Sequence, residues 1–432
     1  MKVPSIEQVP HFTTAMTGPL LDLERIFLTH QIKIEAWFRQ QWLQTPPNVT
    51  CSVDLRNAGY KLAPVDTNLF PAGFNNLNRD FLPLCIQAAQ TVLEQFHSGC
   101  RNILLLPEEQ SKNPHYWESV ATLQEILSKS GYAVRLGSWS EQLTQPQSIP
   151  LPDGRQLLVE PIVRDQQRIY VNDFCPCLVL LNNDLSTGIP DILQNIEQPI
   201  QPTLALGWAQ RFKSNHFNDY QQVSQQFAAL LDIDPWLLAP EFTHCGLVNF
   251  VTGEGEDCLH QQCEQLLAKI QQKYDQLHIK EPPFIVVKAD SGTYGMGVMM
   301  ITEPEQITHL NRKQRRRMTQ TKGSQPINRV IIQEGVYTHE TWNNAVAEPV
   351  VYLIGQYVVG GFYRVHTGKT QRDNLNAPGM HFEPLAFGEA CNVPEPFTQQ
   401  YTTTNRFYIY GVMARLAALA AARELQQVAL SS

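Results

Sequence analysis

The residues Phe284 to Ile301 read Phe-Ile-Val-Val-Lys-Ala-Asp-Ser-Gly-Thr-Tyr-Gly-Met-Gly-Val-Met-Met-Ile. An apolar run ends in Lys288, a loop follows that holds Ser291, Gly292, Gly295 and Gly297, and a second apolar run begins at Val298. Glycines this dense let a backbone come close to a bulky anion with its N–H groups free to face it. Lys288 stands where an ammonium on the preceding strand reaches the same anion, so the segment reads as a nucleotide phosphate site. A Walker loop would need Lys-Ser or Lys-Thr straight after its last glycine, with a helix beyond. The dinucleotide fingerprint opens a helix, whereas this loop joins two strands. The plain alternative is a hairpin with a flexible tip.

A second informative stretch is Val330-Ile-Ile-Gln-Glu-Gly-Val336. Adenine offers an amino donor and a ring acceptor side by side, and a strand running out into a loop offers a carbonyl and an N–H at matching spacing. Gln333, Glu334 and Val336 fit such a hinge, and Glu340 is a candidate ribose acceptor. Toward the N-terminus, Asp54, Arg56, Asn57, Lys61, Asp66, Asn68, Asn75, Asn76 and Asn78 crowd among apolar anchors. A loop this polar is expensive to bury without partners. An amino-acid substrate carries carboxylates and an ammonium and calls for guanidinium, ammonium, amide and carboxylate groups. Arg56 and Lys61 are placed to hold carboxylates and Asp66 an ammonium, with Asn68, Asn75 and Asn76 as further binding residues. The alternative is a turn network that satisfies itself.

The lysine–glycine hairpin followed by a hinge strand resembles the ATP-grasp superfamily. Tyr352-Leu-Ile-Gly-Gln-Tyr, Phe362-Tyr-Arg364-Val, Asp373-Asn-Leu-Asn-Ala-Pro-Gly379 and Glu383-Pro-Leu385 look like a region of prokaryotic glutathione synthetase. Taken with the block Val53 to Leu77, the chain resembles the proteobacterial, Acidithiobacillus-type glutamate–cysteine ligases over nearly its whole length. The resemblance implies ATP-dependent ligation of the glutamate side-chain carboxylate to cysteine through an acyl phosphate, the first step of glutathione synthesis. It implies ATP and Mg2+ as cofactors, with Lys288 and Arg364 as the catalytic cations. The terminal Asp and Glu-x-Asn metal ligands usual in ATP-grasp ligases have no counterpart here; Glu348 and Asn376 are the oxygen donors chosen instead. Glutathione synthetase, another carboxylate–amine ligase, a small-molecule kinase and a nucleotide-sensing module remain as alternatives.

These residues need elements to carry them. Pro19 to Leu43 has the spacing of an amphipathic helix, and Val49 to Asp54 alternates like a strand. Ile103–Leu106, Pro114–Ser130 and Tyr132–Leu136 read as a βαβ unit, with Leu178–Leu181 and Thr203–Leu206 as further strands of a parallel sheet. A mostly helical connector runs from Pro240 to Pro282, Val350–Ile354 and Tyr357–Val365 form a hairpin, and an alanine-rich helix closes the chain over about 405–427. The fold class is therefore α/β and ATP-grasp-like. A parallel-sheet substrate domain spans 1–240, and an ATP-binding domain 241–432 carries its glycine-hairpin lid at about 281–340.

Composition fits that reading. The 432 residues are 43% hydrophobic and 17% charged with net charge −8, which disfavours nonspecific nucleic-acid binding. No apolar run is long enough to span a bilayer, and the first residues lack the apolar centre of a signal peptide. Nine scattered cysteines suggest a reducing cytoplasm, with Cys175, Cys177, Cys258 and Cys263 inert rather than metal-binding. The expected partners are glutamate, cysteine and ATP, not nucleic acid or membrane.

Overall fold

The computed structural model describes residues 19–96, 99–109, 111–292, 297–319, 327–385 and 406–431. The chain opens with α1 (Pro19–Thr29) and α2 (Gln31–Gln44), then β1 (Thr50–Asn57), β2 (Leu62–Asn68) and α3 (Leu82–Phe96). Next come β3 (Asn102–Leu106), α4 (Pro114–Lys129), β4 (Ala133–Ser138), β5 (Gln147–Pro150), β6 (Gln156–Pro161), β7 (Val163–Asp165), β8 (Arg168–Tyr170), β9 (Leu178–Leu181) and β10 (Ile200–Gln201). After α5 (Lys213–Leu231) follow β11 (Phe242–Cys245), α6 (Glu256–Gln276), β12 (Ile285–Ala289), β13 (Val298–Ile301), α7 (Arg312–Arg317) and β14 (Val330–Glu334). The chain ends with β15 (Thr341–Trp342), β16 (Ala345–Ile354), β17 (Tyr357–His366), β18 (His381–Pro384) and α8 (Arg406–Ser431).

Three sheets organise these elements. The central one is antiparallel, in the order β18-β17-β16-β1-β2, with β15 beside β16. The second, β10-β9-β3-β4-β6-β5, is parallel except for its edge strand β5, as the βαβ pattern predicts. The third, β11-β14-β12-β13, is an antiparallel sheet carrying Lys288 and the glycine loop. The division expected at residue 240 does not separate the sheets, because β1 pairs with β16 along Thr50↔Ile354 to Asp54↔Val350.

Local chemistry explains where the sequence reading and the structure differ. The expected helix 19–43 breaks at His30, whose backbone leaves helical values (φ −103°, ψ 17°) while its ring bonds the Ile26 carbonyl at 2.9 Å. The expected strand Thr203–Leu206 is a short 3-10 turn; the ladder stops at Gln201 because Pro202 has no N–H to continue it. Inside the connector read as helical, Phe242–Cys245 is a strand paired with β14. Between β16 and β17 the turn residue Gly355 has φ 60°, and a Cβ there would lie 2.1 Å from Val92 Cγ2. Cys100 and Cys177 form a disulfide, where free thiols were expected. They precede β3 and β9, which run side by side in register, so the parallel ladder brings them together across a separation of 77 residues.

Helix α8 is apolar nearly all round and is enclosed accordingly. Phe407, Ile409, Val412, Met413, Leu416 and Leu419 are buried with a run of alanines, in one core cluster with α2, α5 and a face of the central sheet. A second cluster packs α3 and α4 between the central and parallel sheets, and a third fills the space between the Lys288 sheet and α6. No helix among the described residues is long and apolar enough to cross a membrane.

Candidate active site

Strand alternation puts Asp54 and Arg56 on one face of β1, and the register sets Glu348 on β16 opposite Arg364 on β17. Arg364 donates to Asp54 Oδ2 at 2.7 Å and to Glu348 Oε1 at 2.6 Å. Arg56 Nε donates to Glu348 Oε2 at 3.0 Å. The result is a buried alternating row, Asp54–Arg364–Glu348–Arg56. Arg56 also reaches the carbonyls of Val336 (3.2 Å), Arg372 (3.4 Å) and Asp373 (2.5 Å), tying the hinge and the 370s loop to the sheet. Burial raises the Asp54 carboxyl above its usual range, with Arg364 drawing it down and Glu348 pushing it up. Burial also works against ionised Glu348, but Arg56 and Arg364 outweigh it and hold that carboxyl low.

One strand over, Asp66 on β2 stands opposite Asp54 and accepts from Lys213 Nζ at 2.7 Å. Burial would raise Asp66, yet Lys213 and Lys288 together lower it well below its ordinary value. Lys288 reaches the same place from the other sheet, donating to the Val65 carbonyl at 3.0 Å and to Gln333 Oε1 at 2.7 Å. Burial pushes its ammonium down to about 8 against the pull of Asp66. Gln333 Nε2 is buried with no partner among the described residues.

The glycine loop is fastened to α5 at its root. Asp290 accepts from Ser214 N–H and Ser214 Oγ, both at 2.7 Å, and from Arg329 Nε at 2.5 Å. The Lys213 N–H donates to the Asp290 carbonyl at 2.7 Å, and Ser291 bridges to Phe212. Gly292 has φ 39° and lies against Trp208; Gly297 has φ 61°, and a Cβ there would sit 2.6 Å from Ile327 Cδ1. Gly295 falls outside the described residues. Between β2, the start of α5 and Gly292 opens a narrow cleft, lined also by Asn68, Arg211, Lys213 and His216.

Several residues singled out from sequence are occupied elsewhere. Lys61 is fully enclosed, 2.5 Å from Glu334 Oε2 and 3.8 Å over the Trp236 ring, while Glu334 Oε1 has no partner among the described residues. Burial lowers Lys61 and raises Glu334. At the hinge, Val336 is buried with its carbonyl taken by Arg56, and the Glu334 and Gly335 N–H groups donate to the Glu241 and Phe284 carbonyls. Glu340 is buried against Asn57 and Tyr410. Asn75 lines a separate hollow with Asn78, Leu82 and Ile126, and Asn76 sits beside it in the same 3-10 turn. Asn376 donates its N–H to Asn374 Oδ1 within the 370s loop. For a cation, Glu348 is a poor ligand because each oxygen already carries a guanidinium. No group of three or more His, Cys, Asp or Glu that could hold a metal occurs among the described residues. The sequence reading missed Arg211, Lys213 and His216.

Known proteins bear on this geometry. The family profile described as GshA, glutamate-cysteine ligase, matches residues 24–425, which take in every residue of the site. By class, then, the protein is an α/β ligase. The chain belongs to the glutamate–cysteine ligase family, and its reaction is the joining of glutamate to cysteine. A crystal structure from Methylobacillus flagellatus KT, provisionally assigned as a gamma-glutamylcysteine synthetase, shares 52% identity and superposes with TM-score 0.90 over 98% of this chain and 99% of its own. A D-alanyl-alanine synthetase A of Vibrio cholerae O1 biovar eltor str. N16961 gives 13% identity and TM-score 0.32 over 73% of this chain and 81% of its own, a likeness too slight to bear on the fold. No curated protein sequence matches the chain.

Proposed function

We propose that the protein uses ATP to phosphorylate the side-chain carboxylate of glutamate, and that the cysteine amine then displaces phosphate to give γ-glutamylcysteine. The observation that carries this reading is the position of Lys288. It leads into the glycine loop on one sheet and bonds β2 of another beside Asp66. A phosphate cradle and an amino-acid-binding strand thus share one partly desolvated ammonium. Lys288 and the loop N–H groups take the phosphates, and the orphaned Gln333 Nε2 is a donor the nucleotide can satisfy. Arg364 and Arg56 are paired with Asp54 and Glu348, so they hold the row rigid beside the site, and the surplus positive charge needed where a carboxylate anion meets a phosphate falls to Lys288. The Lys288 sheet covers this face and keeps water from the acyl phosphate. Mg2+ would neutralise the phosphates when bound, but Glu348, whose two oxygens each accept from a guanidinium, fits it poorly, and no step here runs through the metal.

The test is phosphate release from ATP measured with glutamate, with cysteine, with both, and with γ-glutamylcysteine plus glycine. Release that needs glutamate and cysteine together is expected. Release that needs the dipeptide and glycine would instead make the protein a glutathione synthetase.

A further inference from the structure

The cleft beside β2 holds a group that the proposed phosphoryl transfer does not use. His216, in the first turn of α5, is buried, with Nδ1 2.5 Å from Glu424 Oε1 on α8. Arg211 grips the same carboxylate at 2.8 and 2.9 Å. Although burial opposes its charge, Arg211 holds the Glu424 carboxyl down. In the tautomer that donates from Nδ1 to Glu424, Nε2 is a lone-pair acceptor. Nε2 is buried and has no partner among the described residues. An unsatisfied buried nitrogen at the wall of a cleft is a ready partner for a donor entering that cleft. The ring is fixed against Phe217 and Tyr220.

The rest of the cleft states what that occupant is. Asp66 and Lys213 line the cleft as an ion pair at 2.7 Å, a carboxylate and an ammonium that complement an amino acid's two charged ends once the pair opens, and Gly292 at the edge belongs to the phosphate loop. We propose that this cleft takes the amino acid whose amine attacks the acyl group, and that His216 Nε2 accepts the proton its ammonium must first lose. The inference rests on the acyl-phosphate reading above. The amine nitrogen then forms a bond to the acyl carbon, the carbon–oxygen bond to phosphate breaks with its electrons, and the second amine proton leaves on the phosphate. The charged groups around the imidazole are Glu424 from α8, Asp66 from β2, and Arg211, Lys213 and Asp219 from α5 and its lead-in.

Hydroxylamine separates the two halves of the reaction, because it is largely unprotonated at neutral pH and needs no base to attack an acyl phosphate. In His216→Gln, cysteine ligation at neutral pH should fall by about a hundredfold or more, while glutamyl hydroxamate formation from ATP, glutamate and hydroxylamine stays within about threefold of wild type. Ligation by the variant should recover as pH rises and the cysteine amine loses its proton unaided. An equal loss of both activities, or no loss in ligation, would overturn the proposal. A measurement on the wild-type enzyme stands apart from the variant's folding: from neutral to mildly alkaline pH its cysteine ligation should rise much less steeply than the about tenfold per unit that unaided loss of the amine proton gives, and a rise as steep as that counts against a base. If the wild-type enzyme forms no hydroxamate, the acyl-phosphate reading itself has failed, a result distinct from a failure of the variant.

Discussion

Lys288 makes its hydrogen bonds to two neutral oxygens, the Val65 carbonyl and the Gln333 amide. Burial takes its pKa down to about 8; Asp66 and Asp54 pull it back up, and Lys213 and Arg56 press it further down. Above that value and below the ordinary lysine range, the unfolded chain binds a proton that the folded, ligand-free protein does not. Stability contributed at this site therefore rises with pH across that window. A polyphosphate reverses the balance by favouring the charged form. ATP binding should thus draw in about half a proton per site at pH 8, read as a difference in binding heat between buffers of unlike ionisation enthalpy. Lys288→Met should abolish the uptake, and uptake unchanged in the variant would take Lys288 out of the phosphate site. Lys61 shows where residue type misleads. It looked equally suited to an anion, but its partner Glu334 lies 273 positions away, and nothing near it in sequence announces a buried pair.

At the scale of elements, the glycine loop and α5 are one device. Asp290 follows directly after the last residue of β12 and satisfies the first N–H groups of the helix that carries Lys213 and His216. Removing its carboxylate takes the ion pair from Arg329 and the acceptor from the Ser214 N–H in the first turn of α5. Asp290→Ala should cost about 2–4 kcal/mol of stability in urea unfolding and weaken ATP and amino-acid binding together. A loss below about 0.5 kcal/mol would mean that the contact does not couple loop to helix. Strands β3, β9, β12 and β14 were legible because each is a short run of Val, Ile and Leu bounded by polar or turn residues. Helix α5 was legible too and was missed: Phe217, Tyr220, Val223, Phe227 and Leu231 keep a helical spacing, diluted by glutamine and asparagine. The site divides along the same line. The glycine loop carries its signal in a few adjacent letters, whereas the Asp54–Arg364–Glu348–Arg56 row exists only once β1, β16 and β17 are aligned.

That alignment is a property of the whole molecule. Strand β1 lies inside the central sheet, with β2 on one side and β16 on the other. Helix α8 packs along α5, and ion pairs join Arg415 to Glu35 at 2.7 Å and Arg211 to Glu424 at 2.8 Å. A cut at residue 240 would strip β1 of one ladder, leave β16 with an open edge, and uncover both α8 and the face of α5 it fills. Each buried leucine, isoleucine, valine or methionine of α8 contributes about 1.5–3 kcal/mol by leaving water. The loss of Ile409, Val412, Met413, Leu416 and Leu419 from their packing is therefore comparable to the roughly 5–15 kcal/mol by which domains are ordinarily stable. Fragments 1–240 and 241–432 should each lack a cooperative thermal transition by circular dichroism when produced alone. Produced together in one cell they should co-purify and regain a single transition, because the ladder between β1 and β16 and the seat of α8 can re-form between chains. A cooperative transition in either fragment alone would mean that the halves fold independently and that the shared sheet is only a docking surface. In that case Asp54 and Arg56 would meet Glu348 and Arg364 across a movable interface, and the charged row would open and close with the ligation cycle instead of standing preformed.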